Sequence, residues 1–139
     1  MLKVVIDTSV FIAGLLTNDE KSSSLQVLSN WLNDRFMLVM SPQILEELIF
    51  VLARREFSQD DIDDLVDNVA ETALHIPGIY EATFLDDIDP KDNMFLAAAY
   101  EAKADYLVSL DKKDILPIKY YHGTQILQPK LFIDVLNRY

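Results

Sequence analysis

The chain has 139 residues, half of them hydrophobic and a quarter charged, with a formal net charge of −11 and no cysteine. That length suits one domain, residues 1–139, with one core. The missing thiols exclude disulfides, thiolate zinc sites and a cysteine nucleophile, and fit a reducing compartment. The excess of acid stands against simple electrostatic binding of nucleic acid, which draws on Lys and Arg.

The N-terminal stretch MLKVVIDTSVFIAGLL is apolar. Asp7 interrupts it and no small-residue cleavage site follows, so neither a signal peptide nor a membrane span is expected, and the expected location is cytoplasmic. Leu2 to Ile6 reads as a buried strand, short, β-branched and ended by the polar Asp7-Thr8-Ser9. A helix-like run follows over Val10 to Leu16, then a second helix over Ser24 to Asp34 that buries Leu25, Leu28, Trp31 and Leu32. Phe36 to Met40 reads as a strand. Ser41-Pro42 gives a helix start, with Ser41 as N-cap and Pro42 in the first turn, and that helix is expected to reach Arg55.

Residues 56–71, EFSQDDIDDLVDNVAE, hold seven Asp or Glu and no Lys or Arg, so this segment carries most of the excess charge. Ile62, Leu65, Val66, Val69, Ala70, Ala73 and Leu74 recur at helical spacing, which places the acids on the outward face of an amphipathic helix. That face is either solvated or a docking surface for a basic partner. A short apolar piece, Leu74 to Ile76, precedes a Pro77-Gly78 turn. Asp89-Pro90 begins a helix expected to reach Lys103, Tyr106 to Leu110 and Gln125 to Leu127 read as strands, and Pro129 opens a terminal helix carrying Leu131, Phe132, Val135 and Leu136. Strands alternating with helices argue an α/β fold with a parallel sheet covered on both faces.

Ligands in such sheets sit at the carboxyl ends of strands. Asp7 and Asp111 each directly follow an apolar strand and would meet at one sheet edge if those strands are neighbours. Glu47 lies on the margin of its helix's apolar face, whereas Glu46 is opposite that face. Asp92 begins a stripe with Phe95, Leu96, Ala99 and Ala102, and its plainer role is to stabilise a helix N-terminus capped by Asp89. Helix capping accounts for one or two of these four acids. Converging carboxylates are costly without a cation. Hard Mg²⁺ or Mn²⁺ supplies one through oxygen ligands and couples to phosphate chemistry, which points to a metal-dependent nuclease.

Other chemistries find little support. His75 and His122 fall in no metal or nucleophile–base pattern. Gly14, Gly78 and Gly123 stand far apart and make no phosphate-cradling loop. An Asp-x-Asp-Gly-Thr phospho-acceptor pattern is absent, which lowers a phosphatase reading. Lys91, Lys112 and Lys113 are candidate phosphate contacts; Arg54 and Arg55 are explained by the helix C-terminus they close. Tyr120 and Tyr121 are the pair placed to stack on bases. Phe50 falls on the polar side of its helix and marks a dimer or partner contact.

The segments VVIDTSVFIAGLL, SPQILEELIFVL, DPKDNMFLAAAYEAKADYLVSLDKKDIL and TQILQPKLFI resemble, in order and spacing, the PIN-domain proteins, in particular the VapC-like toxin branch of bacterial toxin–antitoxin pairs. The resemblance covers essentially the whole chain, and the ordered set is specific where each piece alone is weak. It implies a three-layer α/β/α PIN-like fold with a mainly parallel central sheet, homodimerisation, Mg²⁺- or Mn²⁺-dependent cleavage of RNA, and a small antitoxin that occludes the site. It places the family's acidic tetrad on Asp7, Glu47, Asp92 and Asp111, with Asp114 as an additional metal-binding acid. Asp7, Asp92 and Asp111 would hold a principal metal, and Glu47 with Asp114 would complete that shell or a second one. Cleavage would leave a 5′-phosphate and a 3′-hydroxyl. Thr8 and Ser9 either orient Asp7 or a scissile phosphate, or cap the following helix. Asn93 is either a ligand contact or an exposed helix residue. Ser109 stands where threonine is common, keeping the hydroxyl, and Asp114 lies one position later than in many members. The rival reading is a catalytically inactive PIN-fold module that acts through protein partners.

Overall fold

The computed structural model describes all of residues 1–139. In chain order it runs β1 (Lys3–Ile6), α1 (Thr8–Leu15), α2 (Ser23–Leu32), β2 (Met37–Met40), α3 (Pro42–Arg54), α4 (Gln59–Thr72), β3 (Leu74–His75), a 3₁₀ turn (Pro90–Asp92), α5 (Asn93–Ala102), β4 (Tyr106–Val108), a second 3₁₀ turn (Leu116–Ile118), β5 (Tyr120–Tyr121), β6 (Thr124–Leu127) and α6 (Pro129–Arg138). The strands form one sheet in the order β3-β2-β1-β4-β6-β5, parallel throughout except for the β5–β6 hairpin.

Strand order explains the layers. From β1 the chain steps outward to β2 and β3, then returns across the sheet to β4 on the other side of β1. Right-handed crossovers therefore place α1 and α2 on one face and α5 on the other, with α3 touching both α1 and α5. Accordingly α1 packs on α2 and α2 on α6, while α5 lies across β1, β2 and β4. The result is the three-layer α/β/α arrangement expected from the sequence. Its core is a continuous cluster of 37 buried residues. Within it, Trp31 meets Phe11 edge to face at 6.1 Å and donates its indole N–H to Thr72 Oγ1 at 3.1 Å.

Local sequence sets most element ends. Ser22, Ser41 and Ser58 each accept a backbone N–H at the start of α2, α3 and α4. The buried positions of α4 are Ile62, Leu65 and Val69, and every acid of the segment faces solvent. Four expectations need correction. The helix expected from Pro90 to Lys103 is divided, because Asp89 caps a single 3₁₀ turn before α5 begins at Asn93. The strands expected to end at Leu110 and begin at Phe36 are shorter; after Ser109, whose N–H still reaches the Leu127 carbonyl at 3.0 Å, the N–H groups of Leu110 and Asp111 turn to the hydroxyls of Ser9 and Ser109. Strand β5 was not expected; it is two residues long and closed by His122 and Gly123, both at positive φ. Leu32, expected to be buried, is 51% exposed, and Leu25 is half-buried; Leu131 of the terminal helix is 45% exposed.

Gly78 is required by geometry. It sits at φ +73°, and a Cβ there would meet Gln43 Oε1 at 2.2 Å, although Gln43 Nε2 donates to the Gly78 carbonyl at 2.9 Å. The variant Gly78→Ala is expected to lose about 1–2 kcal/mol, because left-handed backbone strain adds to the broken contact with Gln43. A urea melt tests this, and an unchanged midpoint would show that the loop relaxes freely.

Candidate active site

The strand neighbours on which the sequence argument depended do pair. Ile6 of β1 lies opposite Val108 of β4, so the chain leaves both strands at the same edge, as Asp7 and as Ser109-Leu110-Asp111. This is where the strand order reverses, the place open α/β sheets use for ligands. The Asp7 N–H continues the ladder onto the Val108 carbonyl at 2.9 Å, which fixes the start of α1 against β4.

Three hydrogen bonds hold the Asp7 carboxylate. Ser109 Oγ donates to Oδ2 at 2.6 Å, Ser9 Oγ donates to the same oxygen at 3.0 Å, and the Ser9 N–H reaches Oδ1 at 3.3 Å. Asp7 is thus the N-cap of α1, and Thr8 and Ser9 are its first helical residues, not its caps. Both serines also accept: Ser109 Oγ from the Asp111 N–H at 3.0 Å, and Ser9 Oγ from the Leu110 N–H at 3.4 Å. Two hydroxyls therefore lock the end of β1 to the turn after β4. Asp111 in turn accepts the N–H groups of Lys113 and Asp114 on Oδ1, both at 3.0 Å, which makes a tight turn and brings Asp114 inward. Thr8 Oγ1 is the one buried side-chain polar atom without a hydrogen-bond partner.

Asp92 stands between the 3₁₀ turn and α5 and makes no capping hydrogen bond. Its pKa is pushed up to about 7, first by burial and then by the charges of Asp89, Asp7, Asp111 and Asp114. Burial likewise raises Asp7, opposed by its hydrogen bonds from Ser109 and Ser9 and reinforced by the charge of Asp111. No cation enters either balance. The structure brings Asp7, Asp92, Asp111 and Asp114 near one another, with Asp89 beside them. Carboxylate oxygens of Asp89, Asp92 and Asp114 lie within 4.8 Å of one another. Asp89 was read only as a helix cap, which it also is, through the Lys91 N–H at 3.2 Å; the run Asp86-Asp87-Ile88-Asp89 was the signal available in the sequence.

Glu47 stands apart from these five. It is half-buried on α3 and lines a shallow pocket with Gln43, Glu46, Phe50 and Met94, and it contributes nothing to the shifts of Asp7 or Asp92. Asn93 is neither exposed nor free for a ligand: it is buried, and its amide is committed to Leu85 and Asp86. Lys91, Lys112 and Lys113 are all exposed near the acids in sequence. Tyr120 is exposed, whereas Tyr121 is buried with its hydroxyl 3.4 Å from that of Tyr80. Phe50 is 60% exposed with the Arg54 guanidinium 5.6 Å from its ring centre. No helix is long and apolar enough to cross a membrane.

The all-oxygen donor set, the raised pKa values of Asp7 and Asp92 and the orphaned Thr8 hydroxyl fit a hard divalent cation better than a proton or a soft metal. A family model described as "PIN domain" matches residues 3–113. Comparison with curated proteins gives no match. Among solved structures, one of VapBC2 from Rickettsia felis bound to a DNA fragment from their promoter aligns at 14% identity and a TM-score of 0.61, covering 90% of this chain and 97% of that one. One of VapBC-1 from nontypeable Haemophilus influenzae aligns at 17% identity and a TM-score of 0.63, covering 93% and 99%.

Proposed function

The chain belongs to the PIN-domain family, and from that premise we propose that it is a Mg²⁺- or Mn²⁺-dependent endoribonuclease and the toxin of a toxin–antitoxin pair, acting as a single domain over residues 1–139. The observation that carries this reading is the gathering of carboxylates at the β1/β4 edge, where burial and then the charges of four other acids push the pKa of Asp92 up to about 7. Structural acids are ordinarily paired with a cation or a full set of donors. Asp92 has neither.

In this reading Asp7, Asp92 and Asp111 hold the ion, with Asp114 and Asp89 beside them and Glu47 further out on α3. A bound Mg²⁺ or Mn²⁺ supplies a water of lowered pKa and offsets charge on the scissile phosphate. The chain's own groups do the rest. Ser109 and Ser9 hold the Asp7 carboxylate in place at the sheet edge. Asp111 is held by two backbone N–H groups on one oxygen, leaving Oδ2 for the ion. Thr8, next to Asp7 in the chain, has a buried hydroxyl with no partner of its own. Lys112 and Lys113, exposed and directly after Asp111, are the candidate positive charges for a phosphate.

The likeness to VapBC structures supports an antitoxin as protein partner; RNA as substrate and a homodimer as the assembly are further parts of the proposal. A net charge of −11 makes RNA binding weak and salt-sensitive. The test is incubation of labelled single-stranded RNA with Mg²⁺, with Mn²⁺ and with EDTA. Metal-dependent fragments carrying 5′-phosphates are expected. Saturable metal binding without cleavage of any RNA would instead favour the inactive partner-binding module.

A further inference from the structure

Between β3 and the first 3₁₀ turn, residues 76–89 contain no helix or strand, a connection far longer than the roughly 2–6 residues usual in α/β units. Such a segment has few hydrogen bonds of its own. Gln43 of α3 gives it one, to the Gly78 carbonyl, and two side chains of α5 supply five more. Asn93 accepts the Leu85 N–H on Oδ1 at 2.9 Å and donates from Nδ2 to Asp86 Oδ1 at 2.8 Å. Glu101, two turns further and about 12 Å along the axis, accepts three consecutive N–H groups, those of Gly78, Ile79 and Tyr80, at 3.0, 2.7 and 2.9 Å.

The grip at Asn93 is relayed to the acids. Leu85 is fully buried, and its carbonyl accepts the N–H groups of Ile88 at 3.0 Å and Asp89 at 2.9 Å. Asp89 is thereby placed two hydrogen bonds from Asn93, and its carboxylate lies with those of Asp92 and Asp114. Asn93 also follows Asp92 directly, so one residue sets both neighbours. The grip at Glu101 acts on the other half of the segment. A carboxylate that accepts three backbone N–H groups is a strong, charge-assisted anchor, and the hydrogen bond from Tyr80 leads those that hold its pKa below the ordinary value.

We propose that Asn93 and Glu101 are positioning residues for the acidic site: a two-point clip on α5 that fixes residues 76–89 and, through Leu85, sets Asp89 against Asp92 and Asp114. The inference rests on reading that group of carboxylates as the divalent-metal site. Neither side chain is a ligand in it. Glu101 has no counterpart in the sequence reading, since on α5 it looks like one more partly exposed acid.

The test compares the full chain with Glu101→Ala, Glu101→Gln and Asn93→Ala, following amide hydrogen exchange and the affinity for Mn²⁺ alone. In Glu101→Ala, exchange at residues 78–80 should accelerate and Mn²⁺ affinity should fall several-fold. Glu101→Gln keeps a carbonyl oxygen for Ile79 and Tyr80 and should lie between that variant and the parent. Asn93→Ala should expose residues 85–89 to exchange and lose about 10-fold or more in affinity, the scale of an outer-shell partner. Faster exchange with Mn²⁺ affinity within about twofold of the parent in both alanine variants would reduce the clip to a structural role and overturn the proposal. Unchanged exchange at 78–80 in Glu101→Ala would overturn it too. If Asn93→Ala does not fold, the two Glu101 variants decide. A parent that binds no Mn²⁺ overturns the metal reading itself, a distinct result seen before any variant is made.

Discussion

Asp92→Asn should abolish metal-dependent RNA cleavage, by about a thousandfold or more on the scale of losing a group that stabilises transition-state charge, and should raise the melting temperature of the metal-free protein. Both expectations follow from one balance. Asp92 makes no capping hydrogen bond, is half-buried, and carries its pKa of about 7 against the charges of Asp89, Asp7, Asp111 and Asp114. An amide of the same shape removes the repulsion and the desolvated charge and breaks no capping bond. Stability should therefore rise, at about 3–5 °C in Tm per kcal/mol for a domain of this size. Asp7→Asn is a poorer probe, because the Asp7 carboxylate accepts hydrogen bonds from Ser109 Oγ, Ser9 Oγ and the Ser9 N–H, some of which an amide cannot keep. Cleavage by Asp92→Asn at the parent's rate would mean that the site is misassigned. A lower melting temperature in EDTA would mean that the carboxylate is held by a structural partner.

The acids that follow strands were legible because the sequence marks them twice, by the apolar run that ends at Asp7 or near Asp111 and by the small hydroxyl residues beside them. That β1 and β4 pair was not legible. Pairing depends on the path of the whole chain, and the crossover that returns from β3 to β4 has no local signature. Ser41-Pro42 and the apolar stripe of α4 were readable for the opposite reason, since capping and amphipathic spacing are decided within a few residues. Strand β5 escaped because two residues and a His-Gly turn carry less signal than an Asn-Gly hairpin. Leu32 and Leu131 sit at helical spacing beside buried neighbours, yet the faces they extend are covered on one side only. Asn93 shows the limit of reading residues singly. Its position next to Asp92 suggested a ligand contact, whereas its partners, Leu85 and Asp86, lie in a segment whose path only the fold determines.

Without metal, the protein should lose stability as pH rises from about 5 to about 8, and Mg²⁺ should reverse that trend. The sign follows from Asp92, whose pKa is raised in the folded state from 3.8 to about 7, so that the folded form binds its proton more tightly than the unfolded chain. The stability contributed by the protonated form is complete below 3.8 and is lost as pH rises through about 7. Asp7 is raised by burial in the same direction. Glu101 is lowered and works oppositely, but only as pH falls below its ordinary value of 4.5, outside this window. A divalent ion needs the carboxylates deprotonated, so its affinity grows over the same interval in which the metal-free protein weakens. Its stabilisation rises with RT ln(1 + [L]/Kd). Melting curves at pH 5, 6, 7 and 8, in EDTA and in excess Mg²⁺, should therefore diverge with pH in the parent and run closer to parallel in Asp92→Asn. Curves that diverge equally in both proteins would place the titrating group elsewhere. Curves that never diverge in the parent would remove the metal from this site.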